Sequence, residues 1–329
     1  MPQALAQVLP YLPAALRPLL QALKPGEAAT LEEIRCTVGS PLILRFHSAE
    51  AYVAIDGGST YDVEEALSCN AELMRRFVLL LSDSSFYALE EELRRGYITL
   101  PGGHRAGLCG RAVLEHGTIR GLREISSVNL RLARPVYGVS LALLPYLFNQ
   151  GHPLTTLIAA PPRAGKTTLL RDLAYQLSEG ISGGPFRVGL VDERSELAAL
   201  RGGQPQMPVG SRTDVLDGCP KAEGLMMLIR SMSPEVLICD EIGRAEDVAA
   251  LAEAANAGIA VIASAHAADE KELLSRPVLA GLLESGAFAR VALLSRRQGP
   301  GTVEKLLDGN LQPLPLPSQR QEALLSASC

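Results

Sequence analysis

A phosphate-binding loop is the strongest chemical signal in this sequence. An apolar run ending at Ala159 leads into a loop that opens a helical pattern. The loop and the start of the helix comprise Ala160, Pro161, Pro162, Arg163, Ala164, Gly165, Lys166, Thr167 and Thr168. Because backbone N–H groups and a helix N-terminus attract phosphate oxygens, these residues are predicted to bind ATP. Lys166 would neutralise the β- and γ-phosphates, and the Thr167 hydroxyl would bind Mg²⁺.

The first residue of this loop departs from the usual pattern. Ala160 stands where such loops commonly carry glycine. Since alanine disfavours a positive φ, the chain must turn this corner in an ordinary backbone conformation. We expect the alanine to leave nucleotide binding intact.

An acidic pair follows a second apolar run. Residues 235–240 read as an apolar strand, which ends in the two acids Asp240 and Glu241. Asp240 is predicted to bind Mg²⁺ through water, and Glu241 to orient and polarise the attacking water molecule. A buried strand followed by a solvated acidic turn is the alternative interpretation.

Three further residues are catalytic candidates. His266 ends the apolar run 262–265 and would contact the γ-phosphate or the lytic water, unless it is a histidine with a purely structural role. Glu193 follows another apolar run, and ligands of open α/β sheets lie at the carboxyl ends of the strands. Glu193 would therefore position water or contact the hydration shell of Mg²⁺, with a surface charge as the alternative. Arg230 is a candidate phosphate contact from the same chain.

The alternation of apolar runs and helical patterns predicts an α/β fold. The expected strands are 154–159, 187–192, 235–240, 259–264 and 289–294, and the expected helices are 166–180, 222–232 and 245–257. Short β-rich runs separated by helices imply a parallel sheet covered on both faces. The chain therefore contains a P-loop core.

A smaller α+β domain is expected before this core. Residues 1–24 read as short helices interrupted by prolines, and residues 24–30 as a linker. Further expected elements are the strands 41–46, 51–55, 107–115 and 128–133 and a helix over 83–95. The expected domain bounds are 1–30 for a helical segment, 31–135 for the α+β domain, 136–310 for the P-loop domain and 311–329 for a flexible tail.

Composition limits the functional classes. The chain has 329 residues, 47% of them hydrophobic, and a formal net charge of -5, which argues against non-specific nucleic-acid binding by the chain as a whole. Its six cysteines form no CxxC pair and fit a reducing cytosol. No signal-peptide pattern opens the sequence, and the most apolar long segment, 248–268, contains polar residues and a turn signal. A cytoplasmic protein is expected.

Several longer motifs carry a resemblance to a known family. In the P-loop core they are Gly210-Ser211-Arg212-Thr213-Asp214-Val215-Leu216-Asp217-Gly218-Cys219-Pro220-Lys221, Ile229-Arg230-Ser231-Met232-Ser233-Pro234-Glu235, Asp240-Glu241-Ile242-Gly243-Arg244, Val191-Asp192-Glu193-Arg194-Ser195-Glu196 and Ser264-Ala265-His266-Ala267. In the first domain they are Gly103-His104-Arg105 and 127–134. Over residues 5 to 308 the chain closely resembles the stage III sporulation protein AA family, apart from Ala160.

This family is similar to the ATPases of type II and type IV secretion. The resemblance implies a RecA-like core and a hexameric ring with nucleotide between subunits. It also implies an ATPase of the mother cell that serves the channel to the forespore and docks at the membrane through integral membrane partners. An arginine from the neighbouring subunit would then reach the γ-phosphate. Residues 104–134 hold six arginines against two glutamates, and the candidates there are Arg105, Arg131 and Arg134.

Three functions remain open at this point. The first is an Mg²⁺-dependent ATP-hydrolysing motor of a secretion-like complex. The second is a RecA-like nucleic-acid-binding ATPase that uses the arginines of 104–134, although few aromatic residues are present for base stacking. The third is a scaffold that binds ATP with little turnover, against which the carboxylate of Glu241 argues.

Overall fold

A computed structural model describes residues 1–82, 94, 96–181 and 184–316. The chain divides into two compact units, Met1–Arg134 and Pro135–Cys329, called here the N-terminal and the C-terminal unit. The sequence analysis placed the corresponding boundary after residue 135. No helix in the described part of the chain combines the length and the apolar composition that a bilayer span needs.

Helices of the N-terminal unit precede and follow the first strands. They are α1 (Gln3–Val8), a 3₁₀ turn (Leu9–Tyr11), α2 (Leu16–Gln21), α3 (Pro25–Thr30) and α4 (Ala71–Leu81). The expected linker at 24–30 is wrong, because this segment forms α3. Pro25 occupies the first helical position, where no N–H is needed, and the Glu27 carboxylate accepts a hydrogen bond from the Lys24 N–H at 3.2 Å.

The N-terminal sheet is antiparallel throughout. Its strands are β1 (Leu31–Thr37), β2 (Ile43–Phe46), β3 (Glu50–Val53), β4 (Ser59–Thr60), β5 (Tyr97–Thr99), β6 (Arg105–Glu115) and β7 (Thr118–Arg131), in the order β4-β3-β2-β1-β7-β6-β5. Buried leucines of α1 and α2 pack with Ile34, Leu44 and Phe77 in one core. β7 begins ten residues before the strand expected at 128, since it continues the long hairpin with β6. The expected helix 83–95 lies outside the described residues apart from Arg94.

Two thiols that are distant in sequence meet in this core. Cys36 on β1 and Cys69 are both buried, with 2.7 Å between the sulfur atoms, and both are free cysteines. Burial raises the pKa of each thiol, so both stay protonated at neutral pH. Sequence spacing alone did not predict this contact.

His104 links three segments of the N-terminal unit. Its side chain is fully buried, and Nδ1 accepts a hydrogen bond from the Ala133 N–H at 2.9 Å. Nε2 lies 3.1 Å from Oε1 of Gln7 on α1. Because an amide oxygen only accepts, Nε2 carries the proton and the ring is neutral. Burial lowers the pKa of His104 to about 4.

The C-terminal unit contains five α-helices in its described residues. They are α5 (Lys166–Glu179), α6 (Lys221–Ser231), α7 (Ala245–Asn256), α8 (Glu270–Ser275) and α9 (Pro277–Glu284). A 3₁₀ turn covers Leu144–Leu147. Two small hairpins pair β8 (Phe148–Asn149) with β9 (His152–Pro153) and β12 (Leu200–Arg201) with β13 (Gln204–Pro205).

The main sheet of this unit has eight strands. They are β10 (Thr156–Ala160), β11 (Val188–Asp192), β14 (Thr213–Asp217), β15 (Val236–Cys239), β16 (Ala260–His266), β17 (Arg290–Ser295), β18 (Thr302–Asp308) and β19 (Pro313–Leu314), in the order β14-β11-β15-β16-β10-β17-β18-β19. The six from β14 to β17 pair in parallel, and β18 and β19 add antiparallel. β14 and β18 were not predicted from the sequence, and β19 lies within the segment assigned to the tail.

Helices cover both faces of this sheet. Leu157 and Leu237 pack with α6, α7, α8 and α9 on one face, and Ile158 and Ile238 pack with α5 on the other. Alternate side chains of a strand point to opposite faces, so a strand buried on both sides is apolar throughout. This explains why the runs at 157–160 and 236–239 read as continuous apolar sequence.

We predict that His104 makes stability depend on pH. Its pKa is depressed in the folded chain, so its contribution is present above about pH 6.5 and is lost as pH falls towards 4. The full effect is roughly 3 kcal/mol. Urea unfolding followed by circular dichroism, with His104→Asn as the control, measures it. The stability difference between wild type and variant should shrink as pH falls from 7 to about 4.5. A difference that does not change with pH would contradict this prediction.

Candidate nucleotide-binding site

The loop after β10 has the backbone conformation of a phosphate cradle. Ala160 is the last residue of β10 in extended conformation, so the alanine fits this corner. Arg163 and Gly165 take left-handed conformations, with φ of 60° and 89°. Gly165 is the N-cap of α5, and Lys166 is its first residue. The N–H groups at the start of α5 therefore have no carbonyl partner within the helix and are available to phosphate oxygens.

Gly165 is required by space as well as by its φ. A Cβ at this position would lie 2.7 Å from the backbone nitrogen of Gly301, in the turn between β17 and β18. The Gly301 N–H also donates a hydrogen bond to the Ala164 carbonyl at 2.8 Å. The β17–β18 turn thus fixes one side of the loop.

A chain of hydrogen bonds joins three of the predicted catalytic residues. Nζ of Lys166 lies 3.0 Å from Nδ1 of His266 and 3.2 Å from the Ala160 carbonyl oxygen. Nε2 of His266 lies 2.7 Å from Oε1 of Glu241. Since an ammonium group only donates, Nδ1 accepts and Nε2 carries the proton that is donated to Glu241. His266 therefore connects the lysine of the loop to the candidate base.

Burial destabilises the positive charge of Lys166. Desolvation lowers the pKa of its ammonium group, and the nearby carboxylates of Glu241 and Asp240 act in the opposite direction. A buried cation that is only partly compensated favours an anionic ligand. The triphosphate of ATP would supply that charge.

Burial also destabilises the negative charge of Asp240. Burial raises the pKa of this carboxyl group to about 6, and the neighbouring carboxylates of Asp192, Glu241 and Glu193 add to the rise, whereas Lys221 opposes it. A cation beside Asp240 would relieve this repulsion. Carboxylate and hydroxyl oxygens are ligands that Mg²⁺ prefers, so Asp240 and Thr167 in the first turn of α5 fit that ion.

Lys221 is a site residue that the sequence analysis missed. Its side chain is buried at the start of α6, and Nζ donates to the Glu241 carbonyl oxygen at 2.7 Å and lies 3.3 Å from Oε2 of Glu193. Glu241 has a φ of 36°, and its N–H donates to Oγ of Ser264 on β16 at 3.0 Å. Lys221 and Ser264 therefore hold both backbone groups of a strained residue. The available signal was a lysine after Cys219-Pro220 in a chain poor in lysine.

Asp192 shapes the loop that presents Glu193. Its carboxylate accepts hydrogen bonds from the N–H groups of residues 196–199, at 2.8 to 3.1 Å. Buried Arg171 on α5 donates to the carbonyl oxygens of Glu196 and Leu197, both at 2.7 Å. Glu193 consequently meets Lys221, which also donates to the Glu241 carbonyl oxygen.

Two arginines lie next to the carboxylates of Glu241 and Glu193. Nη1 of Arg194 lies 3.3 Å from Oε2 of Glu241, and Nη1 of Arg244 lies 3.9 Å from Oε1 of Glu193. Both arginine side chains are mostly exposed, so these pairs contribute little to stability. Their positive charge nevertheless lies next to the two candidate glutamates.

Arg230 lines the same groove as Glu193, Lys221 and Arg244, and no direct contact between Arg230 and these residues is seen in the described part of the chain. Arg230 lies in the last turn of α6, about 14 Å along the helix from Lys221. It lines a groove of about 960 Å³ between α6 and α7, whose floor includes Met226 and Ala250. The residues that line this groove include none from the phosphate-binding loop.

The three arginines predicted to act on a neighbouring subunit, Arg105, Arg131 and Arg134, have local partners. The Arg105 guanidinium lies over the Tyr97 ring, 3.4 Å from its centroid, and Arg131 lies 3.2 Å from Glu33. Arg105 and Arg131 face each other on β6 and β7. Arg134 donates to the Leu31 carbonyl oxygen at 2.7 Å, which ties the end of the sheet to β1.

Solved structures with a similar fold include an ATPase and a pilus retraction motor. The Legionella pneumophila ATPase DotB superposes with a TM-score of 0.54 at 13% identity, covering 92% of this chain and 93% of DotB. The pilus retraction motor PilT with bound ADP gives 0.52 at 14% identity, covering 91% and 82%. These similarities confirm the predicted α/β fold, a P-loop core preceded by a smaller N-terminal domain.

The sequence comparisons identify the family. The stage III sporulation protein AA of Bacillus subtilis (strain 168) is 46% identical over 303 residues, which cover 92% of this chain and 94% of that protein. The sequence model described as sporulation stage III, protein AA, matches residues 3–312. The predicted resemblance is thus confirmed, and the chain belongs to the sporulation stage III protein AA family.

Proposed function

We propose that this protein is an Mg²⁺-dependent ATPase that acts as the motor of a secretion-like channel complex in endospore formation. The observation that carries the proposal is the hydrogen-bonded chain from Lys166 through His266 to Glu241. It joins a residue suited to bind phosphate with a residue suited to activate water. Family membership supports the role in sporulation, and the fold shared with DotB and PilT supports the role as a motor.

The phosphate end of the site binds and orients ATP. The N–H groups at the start of α5 and the Lys166 ammonium would hold the β- and γ-phosphates. Mg²⁺ held by Thr167 and Asp240 would neutralise charge that develops on the phosphate oxygens during transfer. Burial of Lys166 and Asp240 strengthens these interactions, because water screens them poorly.

The carboxylate end of the site activates water. Glu241 would accept a proton from the attacking water, with His266 and Arg194 holding its two oxygens in place. A triphosphate that draws the Lys166 ammonium towards its phosphates takes it away from Nδ1 of His266. His266 would thereby transmit the state of the phosphates to Glu241 and to the residues after β16.

Assembly and location follow from the same proposal. We infer a hexameric ring in the cytoplasm of the mother cell, attached to integral membrane proteins of the sporulation channel. Arg105 and Arg131 are the candidates to reach a neighbouring subunit's γ-phosphate, because they are paired residues on the neighbouring strands β6 and β7. Arg134 is a weaker candidate, since it already binds backbone carbonyl groups.

The two alternative functions have less support. Arginines of residues 104–134 pair with acids in Arg111–Glu124, Arg120–Glu115 and Arg131–Glu33, which lowers their net attraction for nucleic acid. A scaffold that binds ATP without turnover would not need the Glu241 carboxylate to be fixed by His266, Arg194 and two backbone contacts. The scaffold alternative would leave that arrangement without a role.

We predict that Glu241→Gln and Lys166→Ala separate binding from hydrolysis. Glu241→Gln should bind ATP like the wild type and lose on the order of 10²–10⁴-fold in turnover, because an amide is a poor base. Lys166→Ala should lose ATP affinity itself, since a charged hydrogen bond contributes about 1.5–3 kcal/mol. Calorimetry and phosphate release measure the two effects, with Glu235→Gln at the exposed start of the same strand as the control. Normal turnover in Glu241→Gln would remove this residue as the base.

We predict that Lys221→Met slows turnover and leaves ATP affinity nearly unchanged. Methionine keeps the aliphatic volume but removes the charged donor to the Glu241 carbonyl. Loss of about 1.5–3 kcal/mol corresponds to roughly 10- to 100-fold in kcat. Lys221→Arg should restore part of the rate, and Lys271→Met on the exposed face of α8 is the control. A kcat equal to that of the wild type would show that Lys221 does not position Glu241.

We predict that mixing two inactive variants restores activity if nucleotide lies between subunits. Lys166→Ala removes the phosphate-binding lysine, and Arg131→Ala removes the arginine offered to the neighbour, so a mixed ring contains some intact interfaces. An arginine in trans contributes about 10³–10⁵-fold in rate. Arg123→Ala, on the same strand, is the control and should remain active. Normal hydrolysis by both Arg131→Ala and Arg105→Ala would eliminate the two candidates.

A further inference from the structure

A second cavity of the C-terminal unit lies beside the phosphate-binding loop. It has a volume of about 440 Å³ and lies between residues 139–143 and the β17–β18 turn. Its lining includes Val139, Ala142 and Leu143 on one side and Gln298, Pro300 and Thr302 on the other. We propose, on the basis of the proposed ATPase function, that this cavity binds the nucleoside part of the triphosphate.

The first wall of the cavity is attached to the helix that follows the loop. Asp172 on α5 is buried, and Oδ1 accepts a hydrogen bond from the Gly138 N–H at 2.9 Å. Oδ2 accepts from the Ser140 N–H at 2.7 Å and from the Ser140 hydroxyl at 2.6 Å. Asp172 lies six residues after Lys166, about 9 Å along α5. Residues 138–143 are therefore held beside the first turns of α5.

The second wall touches the loop itself. The Gly301 N–H donates to the Ala164 carbonyl, and Gly301 packs so closely on Gly165 that no side chain fits between them. Gln298, Pro300 and Thr302 belong to the same turn. The cavity thus adjoins the point where the chain bends around the phosphates, and a nucleotide with its phosphates at Lys166 has its nucleoside within reach of both walls.

The chemistry of the lining fits a base and a ribose. Val139, Ala142, Leu143 and Pro300 offer apolar surface to the face of a base, and Gln298 and Thr302 offer hydrogen-bonding groups to its edge or to ribose hydroxyls. The volume lies in the usual range for small-ligand sites, which begins at about 300 Å³. The larger groove between α6 and α7 offers Met226, Met227 and several acids but has no wall attached to the loop.

The test compares ATP with inorganic tripolyphosphate, which has the phosphates but no nucleoside. Ala142→Phe fills the cavity and should weaken ATP binding by about tenfold or more, while tripolyphosphate binds as it does to the wild type. Ala249→Phe, which fills the groove between α6 and α7, is the matched control and should change neither affinity. Calorimetry measures all six values, and unchanged tripolyphosphate binding shows that each variant is folded. If Ala142→Phe does not fold, the smaller Ala142→Leu replaces it.

Photolabelling of the wild type with 8-azido-ATP gives an independent measurement. The label should appear in peptides that contain residues 139–143 or 297–304. A label between 222 and 253, normal ATP binding by a folded cavity-filling variant, or equal affinity of the wild type for ATP and tripolyphosphate would overturn the nucleoside site. If the wild type binds tripolyphosphate, a negative result counts against the nucleoside site alone. If the wild type binds neither compound, the proposed ATPase is overturned as well.

Discussion

The register of β16 against its two parallel neighbours is the constraint on which the site depends. On one side Ala160 of β10 pairs with His266, and on the other Cys239 of β15 pairs with Ala263. The first pairing places His266 beside the phosphate-binding loop, and the second places Ser264 where it binds the Glu241 backbone. Because side chains alternate between the faces of a strand, a slip of one residue would turn His266 away from Lys166. The hydrogen-bonded chain from Lys166 to Glu241 exists only in this register.

Charge compensation is the second constraint. Lys166, Lys221, Asp192 and Asp240 are all buried within a small region, and an unpaired buried charge is costly. Asp192 is satisfied by four backbone N–H groups, and Lys221 is satisfied by the Glu241 carbonyl and Glu193. Lys166 and Asp240 carry shifted pKa values in opposite directions. An anionic phosphate would balance the charge of Lys166, and a divalent cation would balance the charge of Asp240.

The two units differ in how they use the sheet. In the N-terminal unit an antiparallel sheet packs against helices, and buried His104 ties the chain termini of that unit to each other through Gln7 and Ala133. In the C-terminal unit a parallel sheet collects loops at the carboxyl ends of its strands. The candidate catalytic groups of the C-terminal unit lie at or after such strand ends, apart from Lys221 and Arg230 on α6.

The sequence by itself determined the elements whose pattern is local. The loop from Ala160 to Thr168, the acidic pair at 240 and 241, and His266 are recognisable because a strand followed at once by polar residues is a short-range pattern. The family resemblance and the α/β class were predictable for the same reason. α3 was missed because a helix of six residues has too few apolar positions for its periodicity to show.

Tertiary structure decided which residues meet. Lys221 is 55 residues from Lys166 in the chain, and only the packing of α6 against β11 and α7 brings its ammonium to Glu241. The same packing places Arg230 at the far end of α6, in the groove that Lys221 and Glu193 also line. Asp192 and Glu193 are adjacent and chemically alike. The Asp192 carboxylate accepts hydrogen bonds from four backbone N–H groups, whereas the Glu193 carboxylate pairs with Lys221. Strand register and burial give such residues different roles, and local sequence spacing reveals neither of them.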